Sequence, residues 1–575
     1  MTSKNNFSFS FWAPSKLFLS GLIPSIFLLA SIYLVLSARG APNNDYWSMV
    51  EPLLKGLRDG LSIKDFYVTS NEHIVAAANV VYLANLALLN GDNIGLSITT
   101  CVFSFIVCLL IAHKLINTSE SFLEGAPLSL IAALFIFTPL AAHNFFLGMS
   151  GVPWIGANLF MVLSVLMYSR AEKYGGGWRY IFAILIAFLA SQFYSTGIVA
   201  LCAIGVQGIF GSRNRRLGWI VFILGLAYIG VISLVQVVPT GHGPRTYAPL
   251  QLAHFIFMFI GGGVSTSPQV ALIVGGVGVV AACIVLSILL FLPNLVTPQT
   301  PFWVSFIAYS GIISGMAAIG RSSLGGELSS RYATIPSFFW LGLFGVVLCS
   351  IGPRTIYRRI WTALFLVVSV ISFTNGSSRI ENELQRADEK RFATLAFVLG
   401  VNDPSILQYV TSVPAQFYAI REELIRVGHV PYDGRFAECP VIGDELLSIA
   451  PSGAVLGHMD KLKPTTDQQW LQVNGWAASQ ENLKPALRKP NGILSEYSCM
   501  ALADEKGTVV GVGLGGDRRP DVGKALKQDD VDYGWRGFIK RSELSMQNGE
   551  RLFAVINTGS SWVKLAHSIE VGSQD

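Results

Sequence analysis

Charge is scarce in this chain. Only 13% of its 575 residues are Asp, Glu, Lys or Arg, against roughly 25% in an average soluble domain, while hydrophobic residues reach 52%. A soluble protein of ordinary composition is therefore excluded. The formal net charge of +5 is small for the length, and no feature points to nucleic acid as a partner. The seven cysteines show no Cys-x-x-Cys or Cys/His ligand spacing, which argues against structural zinc. Gly-rich nucleotide loops, internal repeats and low-complexity tracts are missing as well. Direct use of a nucleotide-activated substrate is disfavoured on that ground.

Long apolar runs are abundant. The first, Lys16 to Leu36, is about 20 residues long and is expected to stay in place as a membrane anchor. Further runs fall near 94–112, 127–141, 152–168, 180–192, 196–210, 217–238, 268–292, 302–319, 332–351 and 360–374. Two more, at 74–89 and 250–263, are short enough to be interfacial or re-entrant. The basic clusters Arg170/Lys173/Arg179, Arg213/Arg215/Arg216 and Arg354/Arg358/Arg359 share the side of Lys4 and Lys16 if neither short run crosses. That predicts about eleven spans, with the N-terminus cytoplasmic and the C-terminus outside. The loops holding Asp45, His143, His242, Arg321 and Arg331 then share the outer face.

Past about Asn375 the composition changes and no span follows. Residues 376–434 look like a helical connector. From 435 to 575, short β-rich runs such as Trp470-Leu-Gln-Val-Asn-Gly-Trp476 and Arg551-Leu-Phe-Ala-Val-Ile556 alternate with turn residues, as in a β-sandwich. The fold class is thus a polytopic α-helical membrane domain, residues 1–375, carrying an extracytoplasmic β-sandwich. Cys439 and Cys499 lie in that outer domain, where an oxidising compartment favours a disulfide. The other five cysteines sit in apolar runs as small hydrophobes.

Chemistry concentrates in a few stretches. Ala41-Pro-Asn-Asn-Asp-Tyr-Trp47 follows the first helix and places Asp45 beside Tyr46 and Trp47, where a carboxylate can serve as a general base. A lone Asp at a helix end is more often simply solvated. In Thr69-Ser-Asn-Glu-His73, Glu72 and His73 open the next apolar run, with a helix-capping role as the bland alternative. Gly320-Arg-Ser-Ser-Leu-Gly-Gly-Glu-Leu-Ser-Ser-Arg-Tyr332 offers Arg321 and Arg331 as a phosphate clamp beside Tyr332. Snorkelling to lipid headgroups is the competing account. Arg245, in Gly241-His-Gly-Pro-Arg-Thr-Tyr247, is a weaker candidate. His143-Asn144 and His254 read as packed polar residues, and Trp476 and Trp535 as β-domain core more than sugar platforms.

An acidic first outer loop, many spans and an outer C-terminal domain resemble the GT-C superfamily of membrane glycosyltransferases. The matching positions are Asn44-Asp45-Tyr46 and Asn71-Glu72-His73. Within that superfamily the layout is most similar to O-antigen glucosyltransferases and arabinofuranosyltransferases. The resemblance implies a polyprenyl-phosphate sugar as donor and a cell-envelope glycan, such as that of lipopolysaccharide, as acceptor. Asp45 and Glu72 would be catalytic. Trp47, His73, Arg245, Arg321, Arg331 and Tyr332 would bind substrate, without a required cofactor, although a divalent metal is compatible. The expected location is a bacterial inner membrane, with the β domain periplasmic. A transporter, flippase or polymerase of lipid-linked glycans is the alternative.

Overall fold

In the computed structural model the chain divides into two units. One comprises residues 1–35, 62–82 and 96–381, and the other 36–61, 83–95 and 382–575. The described residues are 12–570 apart from 39–40, 44, 68, 71–72, 120, 212, 236–246, 324, 352–355, 412, 430–438, 447–448, 451–454, 461, 488–497, 545–550 and 558–560.

The first unit is helical. Eight helices among the described residues are long and apolar enough to cross a membrane: Lys16–Ala38, Asn93–Ile116, Phe122–Phe146, Gly148–Tyr174, Arg215–Leu234, Pro268–Phe291, Thr300–Arg321 and Ile356–Leu399. Shorter apolar helices occupy Ala76–Leu89, Gly177–Phe193, Ser195–Phe210, Pro249–Gly261 and Thr334–Ser350. Glycine lets several of them approach backbone to backbone, as small residues do where lipid offers no hydrophobic drive. A Cβ on Gly345 would lie 2.1 Å from the Trp303 ring, and one on Gly275 would lie 1.8 Å from the Phe257 carbonyl.

The two ends of this bundle differ. At one end Lys16 donates to the Ser119 carbonyl at 2.9 Å and Arg358 to the Thr118 carbonyl at 2.8 Å. Glu172 accepts from the Tyr180 hydroxyl and from the Arg213 amide there too. At the other end lie the starts of the Gly148 and Thr334 helices and the end of Thr300–Arg321. Both short helices in question make contacts at this second end. Gln251 donates to the Ser322 carbonyl, and Gly262, past the same helix's far end, abuts Leu328. Tyr82, on Ala76–Leu89, donates to the Met149 carbonyl.

The second unit draws on several parts of the chain. The connector and the β domain fall into it together, joined by residues 36–61 and 83–95 from the N-terminal part. Its first segment, expected as a charged loop, is the helix Asp45–Asp59. Tyr46, Trp47, Val50, Leu53 and Leu54 are all buried, the spacing of one helical face. Trp47 donates to the Val410 carbonyl at 2.8 Å, and Tyr46 meets Nε2 of the fully buried His429 at 3.0 Å.

A two-residue pairing, β1 (Thr69–Ser70) with β2 (His73–Ile74), belongs to the helical unit. The remaining strands are β3 (Ile449–Ala450), β4 (Val455–Met459), β5 (Lys463–Pro464), β6 (Trp470–Ser479), β7 (Cys499–Ala503), β8 (Val509–Asp517), β9 (Gly534–Lys540), β10 (Arg551–Asn557) and β11 (Trp562–Glu570). They form one sheet in the order β3-β11-β10-β7-β8-β9-β6-β4, with β5 also on β6. The sandwich expectation is therefore replaced by a single curled sheet, a half-barrel.

Register shifts in β7–β8, β8–β9 and β10–β11, together with the glycines of β8, provide the curl. It brings β11 back towards β4, where His567 stacks on His458 at 3.8 Å and Leu565 covers Gly457. Trp535 fills the interior at 1% exposure, as expected, and Cys439 is bonded to Cys499 with 5.2 Å between their Cα atoms.

Candidate functional site

At the less basic end of the helical unit the chain brings together side chains from six segments. His73 in β2 lies against Tyr194, ring centroids 4.1 Å apart, and its Nδ1 is 2.7 Å from the Ser195 hydroxyl. Tyr194 packs on Trp154 at 4.4 Å, Trp154 on Tyr332 at 5.4 Å, and Tyr332 on Phe259 at 5.8 Å. The guanidinium groups of Arg331 and Arg321 stand over the Tyr332 ring at 5.6 and 6.0 Å. Four of the eight residues singled out in the sequence, His73, Arg321, Arg331 and Tyr332, thus meet in one cluster.

Local structure explains each placement. Tyr194 has extended backbone, φ −165°, where Gly177–Phe193 ends, and a 3-10 turn over Ser195–Val199 follows. Gly197 permits that turn, since a Cβ there would sit 2.0 Å from the Ala190 carbonyl. The break turns Tyr194 and Ser195 towards His73. Arg331 and Tyr332 occupy a second 3-10 turn, Ser330–Tyr332, pinned at both sides. Ser330 donates to the Leu140 carbonyl at 2.6 Å, and buried Asn144 donates to the Arg331 carbonyl at 2.9 Å. The backbone of Arg331 is thereby fixed while its half-buried guanidinium makes no ion pair among the described residues. A fixed cation lying on an aromatic face and lacking a carboxylate suits an anionic ligand.

An apolar cavity of about 460 Å³ opens in the same unit. Val206, Phe222, Ile256, Ile260, Cys283 and Gly311 are among its walls. Ile256 and Ile260 share a helix with Phe259, which touches Tyr332, and Gly311 shares one with Arg321. Hydrocarbon-lined space and the arginine-tyrosine cluster therefore share two helices.

Of the other expected site residues, two belong to the second unit and two fall outside the described residues. Asp45 is exposed at the first turn of its helix in the second unit. Trp47, 3% exposed in that unit, serves packing. Tyr46 beside it has its hydroxyl held protonated by burial and by the nearby Asp92 carboxylate. Glu72 and Arg245 lie outside the described residues. His254 is exposed instead of packed, whereas Asn144 is buried as expected. Sequence reasoning missed Trp154, Tyr194 and Ser195. The available signal was the polar interruption Ser191-Gln-Phe-Tyr-Ser-Thr-Gly197 between two apolar runs.

Among the described residues no group of three or more His, Cys, Asp or Glu side chains could hold a metal ion. Comparison with known proteins supplies no family: no family model matches the chain, and no curated protein is significantly similar to it.

Proposed function

We propose that this protein is a membrane glycosyltransferase that takes a sugar from a polyprenyl-phosphate carrier and passes it to a cell-envelope glycan. The observation that carries the reading is the chain of contacts that runs from Arg321, Arg331 and Tyr332 through Trp154 to Tyr194, Ser195 and His73, in a unit whose apolar cavity shares two helices with that chain. A lipid phosphate needs a cationic clamp for its head and a dry wall for its tail. The phosphate is also the leaving group. Cations already fixed where negative charge develops stabilise the transition state without reorganising. Asp45 and Glu72 keep their sequence-based candidacy for handling the acceptor.

In the bilayer, the eight long helices cross together with Gly177–Phe193, Ser195–Phe210 and Thr334–Ser350, about eleven passages. The helices Ala76–Leu89 and Pro249–Gly261 lie along the outer end. The end with Lys16, Arg213 and Arg358 then faces the cytoplasm. Labelling of an Ala450→Cys protein from outside intact cells is the expected result, and labelling only after permeabilisation would reverse the orientation.

A carrier of lipid-linked glycans usually has charged groups inside its spans. In the helical unit Arg358 is the one charged side chain buried among the described residues, which favours enzyme over carrier.

The test measures binding of undecaprenyl phosphate to the purified protein in nanodiscs. Arg331→Ala should weaken it by about 10-fold or more, the scale of a lost charge-assisted contact. Equal binding by wild type and variant would remove Arg331 from the donor site.

A further inference from the structure

One helical turn past Trp154 on its helix, and two residues past Tyr332, lie Asn158 and Thr334. Both line a second, much smaller cavity of about 10 Å³ in the helical unit. Ser104, Ser337 and the rings of Phe135 and Phe338 complete its relevant wall. These side chains come from four helices, Asn93–Ile116, Phe122–Phe146, Gly148–Tyr174 and Thr334–Ser350. We propose that the cavity is a binding site for one water molecule, which Ser104, Asn158 and Ser337 hold and which bridges their helices.

Three of the four polar side chains are already bonded. Tyr309 donates to Oδ1 of Asn158 at 3.0 Å, and Nδ2 of Asn158 donates to Oγ1 of Thr334 at 3.3 Å. Ser337 donates to the Ala333 carbonyl at 3.1 Å, the usual return of a helical hydroxyl to its own backbone. Thr100, one turn before Ser104, does the same to the Leu96 carbonyl at 3.0 Å. Ser104 does not. It is buried at 0% exposure, and its Oγ has no partner among the described residues. A buried hydroxyl left unbonded is costly, most of all away from bulk water.

The size and the chemistry of the cavity fit that need. Roughly 10–15 Å³ is the least space that takes a water, which also requires two or more polar partners. The Ser104 hydroxyl can donate to such a water, with the Thr334 hydroxyl as a second donor. The two hydrogens of the water find Oδ1 of Asn158 and Oγ of Ser337, each with a lone pair to spare. A dehydrated cation is the competing occupant, and charge argues against it. No Asp or Glu lines the cavity, and neutral oxygens alone do not offset the dehydration of an ion. The water ties the Asn93 helix to the start of the Thr334 helix, directly after the turn that carries Arg331 and Tyr332. This inference stands apart from the glycosyl-transfer reading.

The experiment exposes full-length protein in nanodiscs to short X-ray pulses and maps oxidised side chains by mass spectrometry. Hydroxyl radicals form from bound water and oxidise the side chains that touch it. Phe135 and Phe338, at 0% and 1% exposure, should oxidise several-fold faster than Phe344, equally buried further along the Thr334 helix. Ser104→Val fills the cavity and removes the hydroxyl, and should bring both rings down to the Phe344 rate. Ser104→Thr keeps the hydroxyl and should leave them fast. Where Ser104→Val does not fold, Ser337→Ala removes one acceptor and should lower both rates. Equal rates for Phe338 and Phe344 in wild type overturn the inference. So does oxidation of Phe338 that neither Ser104→Val nor Ser337→Ala lowers, since the radicals then come from elsewhere. Faster oxidation of Phe338 once N-methylglucamine replaces Na⁺ and K⁺ identifies the occupant as a cation and overturns the water site.

Discussion

The helical unit and the second unit bury their polar groups in opposite ways. Among the described residues of the helical unit the buried polar side chains other than Arg358 are neutral, and several return to backbone: Ser310 donates to the Ile335 carbonyl, Ser372 to Gly263 and Ser337 to Ala333. In the second unit Asp92, Glu383, Asp388, Lys390, Arg391 and Asp403 are all buried. Arg391 reaches Asp388 at 2.8 Å and Asp517 at 3.1 Å, while Arg536 reaches Asp517 and Glu389. Helix Ser377–Leu399 is thereby tied to β8 and β9, with Phe392 stacked on Phe538 at 4.6 Å. A charge can be desolvated when a fixed opposite charge meets it, but hydrocarbon supplies none. The difference therefore separates a helical unit with little buried charge from a second unit that pairs its buried charges.

The sharpest way to break this contrast is to remove one charge. Arg391→Ala leaves Asp388 buried beside an empty cationic position, and should destabilise the second unit by about 3–5 kcal/mol. Chemical unfolding followed by hydrogen exchange in residues 382–575 measures it. A loss below about 1 kcal/mol would show that water already solvates the network.

The matching deletion in the helical unit should cost much less. Ser310→Ala removes one buried hydrogen bond to a carbonyl that still has its helical partner, so about 1 kcal/mol is expected. Steric trapping or detergent unfolding of the full chain reads this value. A cost equal to that of Arg391→Ala would erase the contrast between the units.

Much of this division was legible in the sequence, because long apolar helices declare themselves by length and composition. The apolar runs at 94–112, 268–292 and 302–319 reappear within Asn93–Ile116, Pro268–Phe291 and Thr300–Arg321. That Arg321, Arg331 and Tyr332 share one irregular stretch was legible too, since Gly and Ser around them mark it, and the two guanidinium groups do stand over the Tyr332 ring. What escaped depends on contacts distant in sequence. The Asp45 segment looked like a charged loop because its partners, Val410 and His429, lie more than 350 positions away. Tyr194 and Ser195 looked like the edge of a span until the break after Phe193 turned them towards His73. The sheet's curl depends on bulges, which an alternating pattern does not reveal.

Asp45 tests the comparison at the residue the sequence favoured most. It is exposed at the head of an amphipathic helix, where a carboxylate interacts with the helix N-terminus. If that is its whole role, Asp45→Asn should cost about 0.3–1 kcal/mol of stability and leave glycan transfer within about threefold of wild type. A drop in turnover of about 10² or more would instead identify it as a base.

The smallest effect concerns the seam of the half-barrel. His567 is held below the usual histidine range by partial burial and by the stacked His458, with Asp460 pulling the other way. Asp460 itself lies 3.4 Å from His458 Nδ1, accepts from Asn474 at 2.8 Å and meets Arg519 at 3.5 Å. A histidine whose folded pKa is depressed contributes stability above its unfolded pKa of about 6.5, and loses that contribution as pH falls through the folded value. Hydrogen exchange in β4 and β11, corrected for the intrinsic rate, should therefore lose protection slightly between pH 7 and about 5.5. His567→Asn should flatten the dependence, because an amide carries no proton to repel His458. Equal pH dependence in wild type and His567→Asn would place the acid sensitivity outside the seam, with the buried carboxylates Asp388 and Asp403 as the next groups to replace.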